Sequence, residues 1–364
     1  MLNIDLISAA RPNFMKIAPL YHALLRESWC HPRIVHTGQH YDSNMSGGFF
    51  RDLGLPDPHL HLGVGSGTHA EQLGGVMIAY ERALVGRTPD WIVVVGDVNS
   101  TAACSLVGAK LRIPVIHLEA GLRSRDRRMP EEINRLVTDS VADVLWTPSQ
   151  DADENLRSEG VPAEKIDRVG NIMIDSFELM RTQIQLAGTR QAMNLDGRKY
   201  GVVTLHRPSN VDDPELLRVL VDNLVDVSGQ MPLVFPMHPR TRKRLDEFGL
   251  MVQFERSEIR LCGPMSYLEF MNLICGCSLA ITDSGGVQEE TTYLGIPCAT
   301  LRENTERPIT LTEGTNRLIK PVEMVACAAD ALAGRWQTGR KPLLWDGRAA
   351  ERCVAALRRR SGIA

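Results

Sequence analysis

The sequence predicts an α/β protein made of two Rossmann-like, doubly wound domains facing a cleft. Three observations carry this. Short Val/Ile/Leu runs alternate with amphipathic segments of helical length. The alternation stops over residues 176–198 and restarts near residue 200. A chain of 364 residues is also longer than one ordinary hydrophobic core accommodates.

In order along the chain, "LNIDLIS", "RIVHTG", "WIVVVGD" and "PVIHLEAG" read as buried parallel strands, each followed by a helical pattern, and "VLWTPS" and "IDRVGN" extend the same sheet. The stretch "SFELMRTQIQLAGTRQAMNLDGRK" is polar and helical and is assigned to the inter-domain connection. "YGVVTLH", "PLVFPMH", "IRLCGP", "LAITDSG" and "PCATLRE" then supply a second set of strands. The expected domains are residues 1–175, residues 176–345, and a C-terminal helix over 346–364 that packs back on the first domain. The two halves do not repeat each other in sequence.

Composition narrows the function. Apolar residues make up 43% and charged residues 23%, with a net charge of −3, so nothing favours non-specific nucleic-acid binding. Arg358-Arg359-Arg360 reads as a solvated helix end. "MLNIDLISAARP" reads as a strand, not a signal peptide, and no apolar run reaches membrane-spanning length. The eight cysteines sit mostly in apolar segments, and Cys275 and Cys277 form a lone C-x-C. Buried thiols in a reducing cytoplasm are expected, with no metal site. "SAARPNFMK" stands where a G-x-G-x-x-G would follow the first strand, and no G-x-x-x-x-G-K-[ST] occurs. NAD, FAD and P-loop nucleotide binding are therefore disfavoured.

Ligands of open α/β sheets bind beyond the C-terminal strand ends, and polar residues collect there. Ser8 to Lys16, Gly38-Gln39-His40, Gly96-Asp97 and His117 to Arg123 do so in the first half; His206-Arg207, His238-Pro239-Arg240 and Ser284-Gly285-Gly286 do so in the second. In "ITDSGGVQEETTYLGIP" the Ser-Gly-Gly opening suits an anion cradle of backbone N–H groups at a helix start. The competing reading is a turn with Ser284 as N-cap. Glu290 lies too far along for a capping box and suits a ribose diol; Glu289 reads as a first-turn charge. Arg307, in "RENTERP", supplies countercharge to a diphosphate or else pairs at the surface with Glu303 or Glu306.

Asp97, Glu119, Glu131 and Glu132 cluster in the first half. Asp97 also reads as an N-cap, and Pro130, Glu131 and Glu132 as a helix start. Glu119, beside "VIHL", is costly to bury without a partner, and desolvation would raise its pKa toward neutrality. His206 follows a strand as a proton-exchanging group or a loop hydrogen-bonder. None of these has metal-ligand spacing.

Taken together, "ARPNFMKIAPL", "TGQHYD", "GDVNST", "HLEAGLRS", "PEEINR", "GNIMIDS", "TLHRPSN", "TDSGGVQEE" and "RENTERP…GTNRLI" resemble the non-hydrolysing UDP-N-acetylglucosamine 2-epimerases, in order over about residues 8–320. The resemblance implies a glycosyltransferase-B-like fold, a cytoplasmic homodimer and a role in surface-polysaccharide precursor synthesis. It implies elimination of UDP to 2-acetamidoglucal and re-addition after C2 is protonated from the opposite face, with no redox cofactor or catalytic metal. By matching motifs, Asp97, Glu119, Glu131 and His206 take catalytic positions. Arg11, Lys16, Ser284, Gly285, Gly286, Glu290 and Arg307 take substrate positions, and Phe270 the uracil contact. Departures occur at Pro208 and Ser209, at Asp42, in "GSGTHAEQL", and at Met265 near the uracil. The first three fall in the allosteric region of many bacterial members and imply weak or absent substrate activation.

Alternatives stay open. A relative acting on a diacetamido uronic acid would find Arg123, Arg125, Arg127 and Arg128, otherwise read as partly solvated or interface residues. A hydrolysing epimerase uses part of the same motif set. A glycosyltransferase or a non-catalytic nucleotide-sugar binder leaves Asp97 and Glu119 unexplained.

Overall fold

The computed structural model describes residues 1–38, 50 and 52–363, with Arg11 and Arg256 described in their backbone only. Gln39, His40 and Asp42, singled out above, lie outside the described residues. The chain forms two compact units, Met1–Leu179 with Leu343–Ala364, and Met180–Pro342.

In the first unit seven described strands form one parallel sheet: β1 (Leu2–Ser8), β2 (Cys30–His36), β3 (Leu60–His61), β4 (Trp91–Val95), β5 (Val115–Leu118), β6 (Val144–Thr147) and β7 (Ile166–Arg168). Their order is β3-β2-β1-β4-β5-β6-β7, so the winding reverses between β1 and β4. Helices cover the sheet and its central strands are buried, which is why they read as continuous aliphatic runs. Ile7, Val35, Tyr80, Ile92, Val94, Val107, Val115 and Leu145 form one core cluster. Register matters most at the strand ends. Val95 lies beside Leu118, so the residues that follow them, Gly96-Asp97 and Glu119, leave the sheet side by side.

The C-terminal segment returns to this unit. Trp345 Nε1 donates to the Pro148 carbonyl at 3.0 Å. The helix Ala349–Arg360 places its first backbone N–H groups on the Asp175 carboxylate, at 3.1 Å from Ala349 and 2.7 Å from Ala350. A carboxylate at a helix N-terminus satisfies donors that have no intrahelical partner.

The second unit holds six described strands: β8 (Gly201–Thr204), β9 (Leu233–Pro236), β10 (Ile259–Cys262), β11 (Leu279–Thr282), β12 (Cys298–Thr300) and β13 (Asn316–Leu318). All are parallel in the order β10-β9-β8-β11-β12-β13, reversing between β8 and β11. Thr204 pairs with Thr282 in register, so the chain leaves both strands at the same level, at His206 on one and Asp283 on the other. The helix Gly285–Leu294 follows β11 and stops at Gly295, whose left-handed φ of +73° closes it.

Candidate functional site

In the first unit the site is assembled at the β1/β4 reversal. The helix Arg11–Leu25 starts directly after β1. Asn13 accepts the Ala10 N–H at 3.0 Å and donates to the Val95 carbonyl at 3.1 Å, tying the helix start to the end of β4. One turn on, Lys16 pairs with the Glu119 carboxylate, both buried. Glu119 is therefore not buried alone: Lys16 supplies the partner without which burying its carboxylate would be costly. Gly96 makes room for the pair, since a Cβ there would stand 3.2 Å from Lys16 Nζ. Glu119 has φ of +72°, a left-handed conformation uncommon for any residue but glycine and one that collects at functional sites.

Asp97 is half-buried. It is not the N-cap of the next helix, Asn99–Leu111, a position held by Val98. Its carboxylate pairs with Arg135 instead, while Asn134 donates to its carbonyl at 2.9 Å. The motif "PEEINR" thereby divides by helix face. Glu132 is buried and accepts from Ser124 N at 2.9 Å, Ser124 Oγ at 3.0 Å and Arg125 N at 2.9 Å, so it holds the preceding loop. Glu131 is exposed at the first turn.

Arg123 corrects the expectation of a solvated arginine. It is buried, with Nη1 2.7 Å from Asp139 and Nη2 2.6 Å from Glu159. Asp139 also meets His117 Nδ1 at 2.5 Å. Against the effect of burial, His117 and Arg123 hold the Asp139 carboxyl below the usual carboxylate range. This network fixes the backbone from which Glu119 projects.

In the second unit the site stands at the β8/β11 reversal. His206 Nδ1 lies 2.8 Å from Asp283 Oδ1; the imidazole is 39% exposed and the carboxylate fully buried. His238 packs beside His206 with ring centroids 5.6 Å apart. Burial, with His206 adding to it, holds the His238 imidazole below the ordinary histidine range. Ser284 occupies the N-cap position without a side-chain capping bond, so the turn-cap reading does not account for its hydroxyl. A Cβ on Gly286 would meet nothing within 4 Å, whereas one on Gly285 would stand 3.0 Å from Arg307 Nη1. The guanidinium is thus laid against the start of the Gly285–Leu294 helix.

Two further readings need correction. Arg307 is buried, not at the surface: its Nε pairs with Glu289 at 2.8 Å, and Nη1 lies 3.7 Å from Glu306, the partner expected of it, which is buried as well. Glu289 is equally buried, so it is more than a first-turn charge. Glu290 is buried too and accepts from Tyr267 Oη at 2.7 Å. Burial pushes its carboxyl up to about 7, with the Tyr267 hydrogen bond opposing and Glu289 reinforcing. Tyr267 opens the helix Tyr267–Ile274, which also carries the half-buried Phe270 one turn on.

Lys16, Asp97 and Glu119 thus gather at one reversal, with Glu131 exposed on the helix behind Asp97. His206, Ser284, Gly285, Gly286 and Arg307 gather at the other, with Glu290 a turn deeper. The Arg11 side chain lies outside the described residues. Sequence reasoning missed Asp283 and Tyr267. A carboxylate closing an apolar strand, directly after "LAIT", was the available signal for the first. Among the described residues no group of three or more His, Cys, Asp or Glu could hold a metal, and no helix is long and apolar enough to cross a membrane.

Two doubly wound parallel sheets, with carboxylates at one reversal and a glycine-started, arginine-backed helix at the other, define an α/β protein of the glycosyltransferase-B-like class. A family model described as UDP-N-acetylglucosamine 2-epimerase matches residues 22–358. A UDP-N-acetylglucosamine 2-epimerase of Methanocaldococcus jannaschii is 39% identical over 98% of this chain and 99% of its own length. A crystal structure of the M. jannaschii protein in complex with UDP-GlcNAc and UDP aligns with a TM-score of 0.87 at 39% identity, covering 98% of this chain and 99% of that one. A UDP-2,3-diacetamido-2,3-dideoxy-D-glucuronate 2-epimerase of Pseudomonas aeruginosa is 39% identical over 92% of this chain and 88% of its own. The chain belongs to the UDP-N-acetylglucosamine 2-epimerase family.

Proposed function

We propose that this chain interconverts UDP-N-acetylglucosamine and UDP-N-acetylmannosamine without net hydrolysis. A base removes the C2 proton, the C1–O bond breaks with its electron pair leaving on UDP, and a C1=C2 double bond forms. Return of a proton to C2 from the opposite face and attack of the UDP phosphate oxygen on C1 complete the inversion. Asp97, Glu119, Glu131 and His206 are the proton-exchanging groups. Ser284, Gly285, Gly286 and Arg307 receive the diphosphate, Glu290 the ribose and Phe270 the uracil, with Arg11 and Lys16 as further substrate ligands. The reading places the protein in the cytoplasm as a homodimer that supplies surface-polysaccharide precursors.

The observation that carries this reading is the division of the chemistry between the two sheets. Buried and half-buried carboxylates stand at the first reversal. Backbone N–H groups, with Arg307 against Gly285, stand at the second, where negative charge develops on the leaving group. A second reading, supported by the Pseudomonas relative, keeps the chemistry and changes the sugar to a 2,3-diacetamido uronate.

The test is incubation of the protein in heavy water with each UDP sugar, followed by mass and NMR analysis. Deuterium at C2 together with UDP-N-acetylmannosamine is expected. Exchange with the diacetamido uronate alone moves the substrate assignment. UDP binding with no exchange on either sugar sinks the epimerase reading.

A further inference from the structure

We propose, resting on the reading of His206 as a proton-exchanging group, that Asp283 is its positioning residue: the buried carboxylate fixes the imidazole tautomer and leaves Nε2 as the nitrogen that trades protons. The two carboxylate oxygens divide the work. Oδ2 accepts the backbone N–H of His206 at 3.0 Å and of Arg207 at 2.9 Å, and the Asn210 side-chain amide at 3.1 Å. These bonds hold the loop after β8. Oδ1 lies 3.2 Å from the same His206 backbone nitrogen and 2.8 Å from His206 Nδ1.

A neutral imidazole carries one N–H. An ionised carboxylate accepts and does not donate, so the hydrogen sits on Nδ1 and Nε2 presents a lone pair. The charge is in place, because the donors from His206 and Arg207 hold the Asp283 carboxyl below the usual range in spite of its burial. When Nε2 gains a proton, the same carboxylate stabilises the imidazolium in a low-dielectric setting. His238 does not compete for Nδ1; its own Nδ1 accepts the Arg240 N–H at 3.2 Å. Loop closure alone explains the bonds to Oδ2 but gives no reason for the contact between Oδ1 and the ring.

Asp283→Asn separates the two duties. Its amide oxygen can replace Oδ2 toward the loop, while its NH₂ at the Oδ1 position donates to Nδ1 and drives the hydrogen to Nε2. The expected result is a folded variant with a lowered melting temperature, UDP affinity within about threefold, and turnover lowered on the order of 10²–10⁴-fold, as for general acid–base groups. Long-range ¹H–¹⁵N spectra of His206 are expected to show the Nδ1–H form in the wild type and the Nε2–H form in Asp283→Asn. An Nε2–H form in the wild type overturns the proposal even if the variant fails to fold. Loss of turnover in His206→Ala with wild-type turnover in Asp283→Asn overturns the positioning role alone. Wild-type turnover in His206→Ala removes His206 from the reaction and the proposal with it.

Discussion

Glu290 is a carboxyl group whose ionisation the fold opposes. Burial raises it to about 7 from an ordinary 4.5. Between those values the native state binds more protons than the unfolded chain, so its stability falls as pH rises from about 4.5 to 7 and is level above. Glu290→Gln keeps an acceptor for Tyr267 and removes the ionisation. Urea denaturation is expected to show the variant more stable than wild type at pH 8, by up to about 3 kcal/mol. The gap should vanish near pH 4.5, and a gap that does not change with pH would contradict the burial argument. At this scale the sequence was legible in position, as at Glu119 and His206, which the structure has just beyond β5 and β8. It was illegible where burial reassigns a charge. Nothing in "PEEINR" states that Glu132 faces inward to hold Ser124 and Arg125 while Glu131 faces solvent. Arg123 read as a partly solvated charge for the same reason: its partners Asp139 and Glu159 are remote in sequence.

The start of the Gly285–Leu294 helix puts two adjacent glycines in different surroundings. A methyl group on Gly285 must displace the Arg307 guanidinium, whereas on Gly286 it enters open space. Gly286→Ala should therefore fold normally, with a stability gain of up to about 1 kcal/mol from helix propensity. If backbone N–H groups there receive a diphosphate, the same methyl crowds the ligand. UDP affinity measured by calorimetry is expected to fall by roughly tenfold, which is about 1.4 kcal/mol. Wild-type affinity in a well-folded variant would move the diphosphate elsewhere. Elements of this kind were readable because aliphatic runs and Gly/Ser breaks mark both ends of a buried parallel strand. Two strands escaped. β3 is Leu60–His61 and β13 is Asn316–Leu318, both at sheet edges, joined through backbone hydrogen bonds and too short to show a side-chain period.

For the whole molecule, the decisive feature is that the first unit is closed by a segment from the far end of the chain. Trp345 is buried there, and its indole N–H meets the Pro148 carbonyl just beyond β6. Farther along, Arg359 and Arg360 pair with Asp167 on β7 at 2.7 and 3.0 Å, and Trp91 Nε1 donates to Ser361 Oγ at 3.1 Å at the start of β4. The arginine pairs, partly open to solvent, contribute little, whereas the buried indole is the largest single side chain of the returning segment and works alongside the Asp175 contact at the helix start. Trp345→Ala leaves a large cavity and an unpaired carbonyl, at a cost of about 3–5 kcal/mol. Every contact named lies within the first unit. Hydrogen exchange in the variant should therefore accelerate across β4–β7 and the Ala349–Arg360 helix, while amides of β8, β9 and β11 keep wild-type protection. Uniform loss of protection over both units would show that the chain unfolds as one cooperative block, and that the C-terminal return stabilises the second sheet as much as the first.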